Sequence, residues 1–387
     1  MATMGNMERV LRLMAEKNAS DVFISANAPV MIKINGNMVA VNPQRMTADT
    51  CLVLLKEILS EAQIEELTQF GEMNTSFALQ GVGNFRISVL RQRGTYAAVI
   101  RYIPIAIPAL DTLGLPTETL IDLVMRQRGL ILVVGATGSG KSTSLAAMLD
   151  YRNQHRSSHM LTIEDPIEFV FDNKRSIINQ REVGTDTADR QIALKNAMRQ
   201  APDVILVGEI RDRETMSAAL AYAQSGHLCL ATLHASNSYQ TLNRILTFYP
   251  EEVRETLLGD LASGLAAIIS QRLLRTLDGK RAPACEILLN TKLVSELIEK
   301  GDILGVKDAM SQSMSEGSQT FEEDIARLIQ NDVVSREEGL MHADSPTNLM
   351  WRLQNTSAEG ASNSVTDVQD DSTEPQFSEI TLDMGDD

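Results

Sequence analysis

The amino-acid sequence predicts an α/β protein in three parts. A small α+β module comes first, then a larger sheet domain built on a phosphate-binding loop, then a set of C-terminal helices. Three observations predict this. The first is Leu130 to Val134, a short unbroken apolar run that leads into a glycine-rich loop and then a helix-forming stretch, Leu145 to Leu149. The second is a series of further short apolar runs, each ending in acidic or histidine residues, as buried parallel strands do where they deliver side chains to a site. The third is a break at Ile103-Pro104-Ile105-Ala106-Ile107-Pro108, where paired prolines hold the chain extended.

Composition narrows the function classes. The 387 residues suffice for two or three domains with a sizeable core. The formal net charge of -16 argues against broad nucleic-acid binding, whose affinity comes largely from Lys and Arg neutralising phosphates. Cys51, Cys229 and Cys285 are far apart, and none sits in a C-x-x-C pair, so they read as small buried hydrophobes rather than a metal or disulfide framework. Met1 to Lys17 has interleaved charges and no long apolar core, and no stretch approaches a membrane span. A cytosolic location without direct membrane insertion is expected.

Taken in order, Met7 to Lys17 has helical apolar spacing. Val22 to Ile24 and Val30 to Ile34 read as strands, and an Asn35-Gly36 hairpin turn leads to a third at Met38 to Val41. Cys51 to Phe70 reads as a helix, and Thr75 to Leu79 and Asn84 to Ile103 as strands around Gly81-Val82-Gly83. These elements define a module at 1–105, a connecting segment at 106–117 and a second domain at 118–354. In that domain His159 to Ile163, Asp203 to Glu209 and Gly226 to Ala235 read as strands, and Thr187 to Gln200 and Asp212 to Tyr222 as helices. Glu251 to Gln271, Lys292 to Lys300, Phe321 to Gln330, Ser335 to Ala343 and Ser345 to Gln354 read as further helices. Residues 355–387 are rich in Ser, Thr, Asn, Asp and Glu, lack Lys and Arg, and read as an acidic disordered tail. Phe377 to Leu382 within it is either a short docking motif or plain solvated chain.

The chemistry concentrates at Gly135-Ala136-Thr137-Gly138-Ser139-Gly140-Lys141-Ser142, the P-loop pattern in its required strand-loop-helix setting. Glycines let the backbone wrap a phosphate, and the helix start adds partial positive charge. Lys141 is expected on the β- and γ-phosphates of ATP and the Ser142 hydroxyl on Mg²⁺, with Thr143 completing the nucleotide-holding set. Glu164-Asp165-Pro166-Ile167-Glu168 ends one strand, and Glu164 is the carboxylate placed to touch Mg²⁺ or its water. The next acidic strand end carries Gly208 where a magnesium-side aspartate is usual, so Glu209 is better placed to orient the attacking water than to bind metal. His227 and His234 bracket the next strand and point to opposite faces, which disfavours zinc. Either both are satisfied polar residues, or His234 with Thr232 senses the γ-phosphate. Arg86, Arg91, Arg93 and Arg101 form either a solvated strand face or a source of arginine fingers.

Together these residues resemble the secretion-type ATPases, and within them the type IV pilus retraction ATPase family, PilT and PilU. The resemblance runs from about Met7 to Gln354 and rests on Gly135 to Ser142, Thr162 to Glu168 (TIEDPIE), Ile205 to Asp212 (ILVGEIRD), Gly226 to His234 (GHLCLATLH) and Gln180 to Val183 (QREV). Two departures are visible. Retraction ATPases of the PilT kind carry an AIRNLIRE helix, whose arginines are replaced here by Ser295 and Glu299, and Gln224 stands where glutamate is usual. That helix, the segment Met314 to Phe321 and the acidic tail look more like PilU, the accessory to a PilT-like ATPase. The resemblance implies a PAS-like N-terminal domain, a RecA-like ATPase domain, a homohexamer and a PilC-like inner-membrane platform protein as partner. It also implies ATP between the two domains, with N-terminal arginines closing over it; by position these are Arg86 and Arg101. The competing expectation is an ATP-binding regulatory partner with little hydrolysis of its own.

Overall fold

In the computed structural model, which describes residues 5–34, 36–103, 106–312 and 317–362, helical apolar spacing puts Met7, Leu11 and Met14 of Asn6–Glu16 (α1) on one buried face. That face meets an antiparallel sheet. Its strands are Asp21–Ile24 (β1), Met31–Ile34 (β2) and Asn37–Ala40 (β3), followed, after Ala48–Lys56 (α2) and Glu61–Phe70 (α3), by Glu72–Leu79 (β4), Gly83–Gln92 (β5) and Thr95–Ile103 (β6). The strand order is β3-β2-β1-β6-β5-β4. Alternation along β5 buries Phe85, Ile87 and Val89 beneath the helices. The single helix expected over Cys51 to Phe70 is two. Ser60 interrupts it: its hydroxyl accepts from Gln63 N while the Gln63 side chain accepts from Ser60 N, a reciprocal cap that starts α3 afresh. The expected hairpin is present as the Ile34–Asn37 pair, although Asn35 lies outside the described residues.

Pro104 and Ile105 of the connecting segment also lie outside the described residues. Thr117–Val124 (α4) then leads to the second sheet, formed by Gly129–Val134 (β7), Lys141–His155 (α5), His159–Glu164 (β8), Ile177–Glu182 (β9), Arg190–Ala197 (α6), Val204–Val207 (β10), Arg213–Gln224 (α7), Leu228–Leu233 (β11), Ser238–Thr247 (α8), Arg254–Gly264 (α9), Leu265–Arg275 (β12) and Arg281–Leu289 (β13). Strand order is β13-β12-β7-β11-β10-β8-β9, and every pairing is parallel except β12 with β13. Helices cover both faces, so the strands are apolar without alternation. On β7, Leu130, Leu132 and Val134 join one core while Ile131 and Val133 join the other. This is the RecA-like arrangement, with the phosphate-loop strand near the middle.

The helix expected over Glu251 to Gln271 is corrected. It ends at Gly264, and Leu265 to Gln271 begins β12, the strand beside β7. An alanine-rich apolar run buried on both faces has no period by which to distinguish helix from strand. The partner β13 also went unread, as did β9. Beyond the hairpin lie Lys292–Glu299 (α10), Ile303–Gln312 (α11), Phe321–Gln330 (α12), Arg336–His342 (α13) and Pro346–Ser362 (α14). Ser295, one of the two departures on α10, donates its hydroxyl to Ala262 O at 2.8 Å and so packs α10 onto α9. The disordered tail was expected from residue 355, but α14 continues to Ser362; residues 363–387, including Phe377 to Leu382, lie outside the described residues, as do Met314 to Glu316.

Candidate active site

The phosphate loop joins β7 to α5 at the carboxyl edge of the sheet. Gly135 has φ +150°, and a Cβ there would lie 2.4 Å from Ser139 Oγ and 2.5 Å from Gln271 O, so only glycine fits against β12. Gln271 also braces the loop from behind. Its Nε2 donates to Ser144 Oγ at 2.8 Å, and Ser144 donates to Gly140 O at 3.1 Å. Lys141 opens α5 and is buried, with its Nζ donating to Gly135 O at 3.0 Å and Ala136 O at 2.9 Å. Burial pulls its pKa down, and the Glu209 and Glu168 carboxylates oppose that pull.

A cavity of about 440 Å³ opens in front of the loop. Thr137, Gly138, Gly140, Lys141, Ser142 and Thr143 line one side, and Glu164, Glu209, Thr232 and His234 line it from the neighbouring strand ends. Lys141, Ser142, Glu164, Glu209 and His234 thus line one cavity, although they come from four separate strands and loops, while Gly135, Ala136 and Ser139 of the loop are not among its lining residues.

Their supports differ. Glu164 ends β8 and is 8% exposed; its Oε1 accepts from Thr162 Oγ1 at 2.7 Å and from Gln180 Nε2 at 3.2 Å. Burial raises its pKa, and those two donors partly offset the rise. Gly208 and Glu209 follow the end of β10. A Cβ on Gly208 would lie 3.2 Å from Ile163 O and 3.3 Å from Glu164 Cα, so the backbone of β8 occupies the space an aspartate side chain would need. This accounts for glycine at the magnesium-side position. Glu209 Oε1 lies 3.0 Å from His234 Nε2, and its Oε2 accepts from Arg211 at 2.6 Å. Thr232 Oγ1 donates to Gly208 O at 2.5 Å, and Ile210 N donates to Thr232 O at 2.8 Å. The histidine strand therefore grips the Glu209 turn by one backbone carbonyl and two side chains, those of Thr232 and His234. His227 is elsewhere, with its Nδ1 3.0 Å from Ser225 Oγ.

Arg86 and Arg101 do not line this cavity. They are cross-strand neighbours on the N-terminal sheet, and Arg101 Nε donates to Asp21 Oδ1 at 2.9 Å. Both face a second cavity of about 440 Å³, whose other side is Asp165 to Ile167 and Glu182 to Thr185. The two cavities share Asp165 and Pro166 as a wall. Two arginines that sequence reasoning did not single out are close to the carboxylates instead. Arg211 bridges Glu209 and, at 3.8 Å, Asp165 Oδ2; Arg190 donates to the same Oδ2 at 3.1 Å. The signal for Arg211 was its place in GEIRD, two residues after Glu209. Nothing in the local sequence marks Arg190.

Comparison with known proteins agrees with this geometry. The family model described as "Type II/IV secretion system protein" matches residues 4–355. The type IV pilus ATPase PilU of Pseudomonas aeruginosa is 43% identical over 348 residues, which are 90% of this chain and 91% of that protein. The type IV pilus retraction ATPase PilT of the same organism is 37% identical, across 89% of this chain and 99% of its own. Among solved structures, the pilus retraction motor PilT with bound ADP superposes with a TM-score of 0.84 at 39% identity, covering 90% of this chain and all of that one, 100%. The ATPase DotB of Legionella pneumophila superposes at 0.76 with 27% identity, covering 87% and 94%. Sequence, fold and phosphate-loop cavity thus agree, and the chain belongs to the type II/IV secretion system protein family as one of its ATPases.

Proposed function

We propose that this protein hydrolyses ATP to drive type IV pilus retraction, as a PilU-like accessory to a PilT-like ATPase. The observation that carries the reading is the convergence of Lys141, Ser142, Glu164 and Glu209 on one cavity, in a chain 43% identical to a type IV pilus ATPase, PilU, across nearly its whole length. The greater identity to PilU than to PilT, 43% against 37%, supports the accessory role.

In this reading the loop amides and Lys141 hold the β- and γ-phosphates, for which Lys141 turns from its own loop carbonyls. The donors around Ser142 suit Mg²⁺: they are hard oxygens, and Glu164 keeps one carboxylate oxygen clear of Thr162 and Gln180. Ser142 would hold the ion, with Glu164 and Glu209 reaching it through water, and the bound ion would neutralise phosphate charge. Glu209 takes a proton from the attacking water, and His234 fixes the orientation of its carboxylate. Hydrolysis removes the γ-phosphate contacts, and the N-terminal module swings about the segment after Ile103. Arg86 and Arg101 would close on the nucleotide in that movement. In a homohexameric ring at the cytoplasmic face of the inner membrane, the motion would turn a PilC-like platform protein. No helix among the described residues is long and apolar enough to cross a membrane, so that contact would be made through the partner.

Lys141→Ala should abolish ATP turnover while the fold persists; unchanged turnover would rule this site out. The alternative, an ATP-binding regulator with little hydrolysis, draws on Arg211, which already occupies one oxygen of Glu209 at 2.6 Å. Equal, near-zero rates for the wild-type protein and Glu209→Gln would favour the regulator.

A further inference from the structure

Arg190 is out of place as a structural residue. It is the first residue of α6, and Asp189 before it caps that helix by accepting from Ile192 N at 2.8 Å. The cap fixes where the Arg190 side chain starts. From there it reaches into the phosphate-loop cavity, where its side chain is 14% exposed. Among the described residues its hydrogen bond goes to Asp165 Oδ2, at 3.1 Å, longer than a charge-assisted pair usually is. Its Nε is fully buried and has no hydrogen-bond partner among the described residues. A buried guanidinium donor without an acceptor is costly, and a turn of the side chain onto an anion in the cavity would relieve that cost.

Its location says which acceptor. Asp165 directly follows Glu164, and Arg211 links Asp165 to Glu209. Arg190 therefore stands among the carboxylates of the cavity that Lys141 also lines. Charge balance points the same way. Glu164, Asp165, Glu168 and Glu209 line the cavity with Lys141 and Arg190 as its lining cations, and a triphosphate brings more negative charge to that space. A planar guanidinium lining the cavity suits a phosphoryl oxygen that gains charge as the bond to its leaving group breaks.

We propose that Arg190 is a catalytic residue whose guanidinium turns from its packed position to donate to the γ-phosphate of bound ATP, within the same subunit as the phosphate loop. Asp165 holds the guanidinium through Nη2 at the cavity wall. This assignment rests on the ATPase reading above.

The test compares nucleotides that differ in the terminal phosphate. Full-length wild type and Arg190→Gln are titrated with ADP and with a non-hydrolysable ATP analogue, both with Mg²⁺, and steady-state turnover is measured. In the variant, affinity for the analogue should fall about tenfold to a hundredfold, kcat should fall at least as far, and ADP affinity should stay within about twofold, as expected for one charge-assisted contact. Equal weakening of ADP and analogue, or loss of neither, overturns the assignment and leaves Arg190 as a structural partner of Asp165. If Arg190→Gln does not fold, Arg190→Lys answers the same question: it keeps a charge for Asp165 but loses the planar guanidinium fork, so the analogue-specific loss should remain. Wild-type protein that binds neither nucleotide would sink the ATPase reading itself, a result distinct from wild-type turnover with an indifferent Arg190.

Discussion

Gly208→Ala makes the sharpest test of how the water-side carboxylate is placed. The added methyl would sit 3.2 Å from Ile163 O and 3.3 Å from Glu164 Cα, both backbone atoms of β8. Neither can rotate away. Ile163 O also accepts from Gly208 N at 2.8 Å, so the strand that must yield is bonded to the residue pushing it. Relief needs a few tenths of an ångström between β8 and the end of β10, which carry Glu164 and Glu209 respectively. Overpacking of this kind costs about 1–3 kcal/mol. At about 2–4 °C per kcal/mol for a domain of this size, Tm should fall by about 2–12 °C. Turnover should fall by more than stability suggests, because an error of about 1 Å in a reacting group costs about a hundredfold and a fraction of that about tenfold. ADP affinity should change little, since the phosphate loop joins β7 to α5 and the strain falls between β8 and β10. Thermal unfolding and steady-state ATPase rates on one preparation are enough. A variant with wild-type Tm and kcat would refute the explanation of why glycine occupies this position, and Gly208→Asp would then deserve to be active.

Other expectations follow from neighbouring contacts. Thr232→Val keeps the shape but removes the bond to Gly208 O, so it should cost about 1 kcal/mol and lower kcat with little change in ADP affinity; a full-rate variant would show that the strand contact does not position Glu209. Glu164 has its pKa raised by burial, so in the wild type stability is lost as pH rises above the ordinary carboxylate range near 4.5. Glu164→Gln should therefore be inactive yet more heat-stable at neutral pH, by about 0.5–2 kcal/mol, with the advantage vanishing below that range in a pH series of melts. Gln180→Ala removes a donor that favours ionised Glu164, so the acid limb of the kcat–pH profile should move to higher pH; a shift to lower pH would exclude Glu164 as the group being titrated.

The phosphate loop was legible because its function dictates its spelling: strand, glycines at fixed spacing, lysine, hydroxyl, helix. Glu164, Glu209 and His234 were legible as the polar ends of apolar strands, since a parallel sheet delivers those ends to one edge. The hairpin of β12 and β13 was not, because a strand buried on both faces and written in alanine, leucine and isoleucine has the composition of a helix. The break at Ser60 could have been read from Ser60 and Gln63, which spell a capping box three residues apart. Arg190 had no such mark. It reaches the site through the packing of α6 beside β8, a long-range consequence of topology that no window of sequence contains. Arg86 and Arg101 show the converse: their density in sequence was plain, but cross-strand pairing sends both toward the second cavity.

Asp165 and Pro166 belong to both cavities at once, with Arg190 and Lys141 on one side and Arg86 and Arg101 on the other. A partition two residues thick insulates poorly. A displacement of this turn would change the lining of both cavities together. One short turn of chain is thus the common boundary of the phosphate-loop cavity and the cavity beneath the N-terminal sheet.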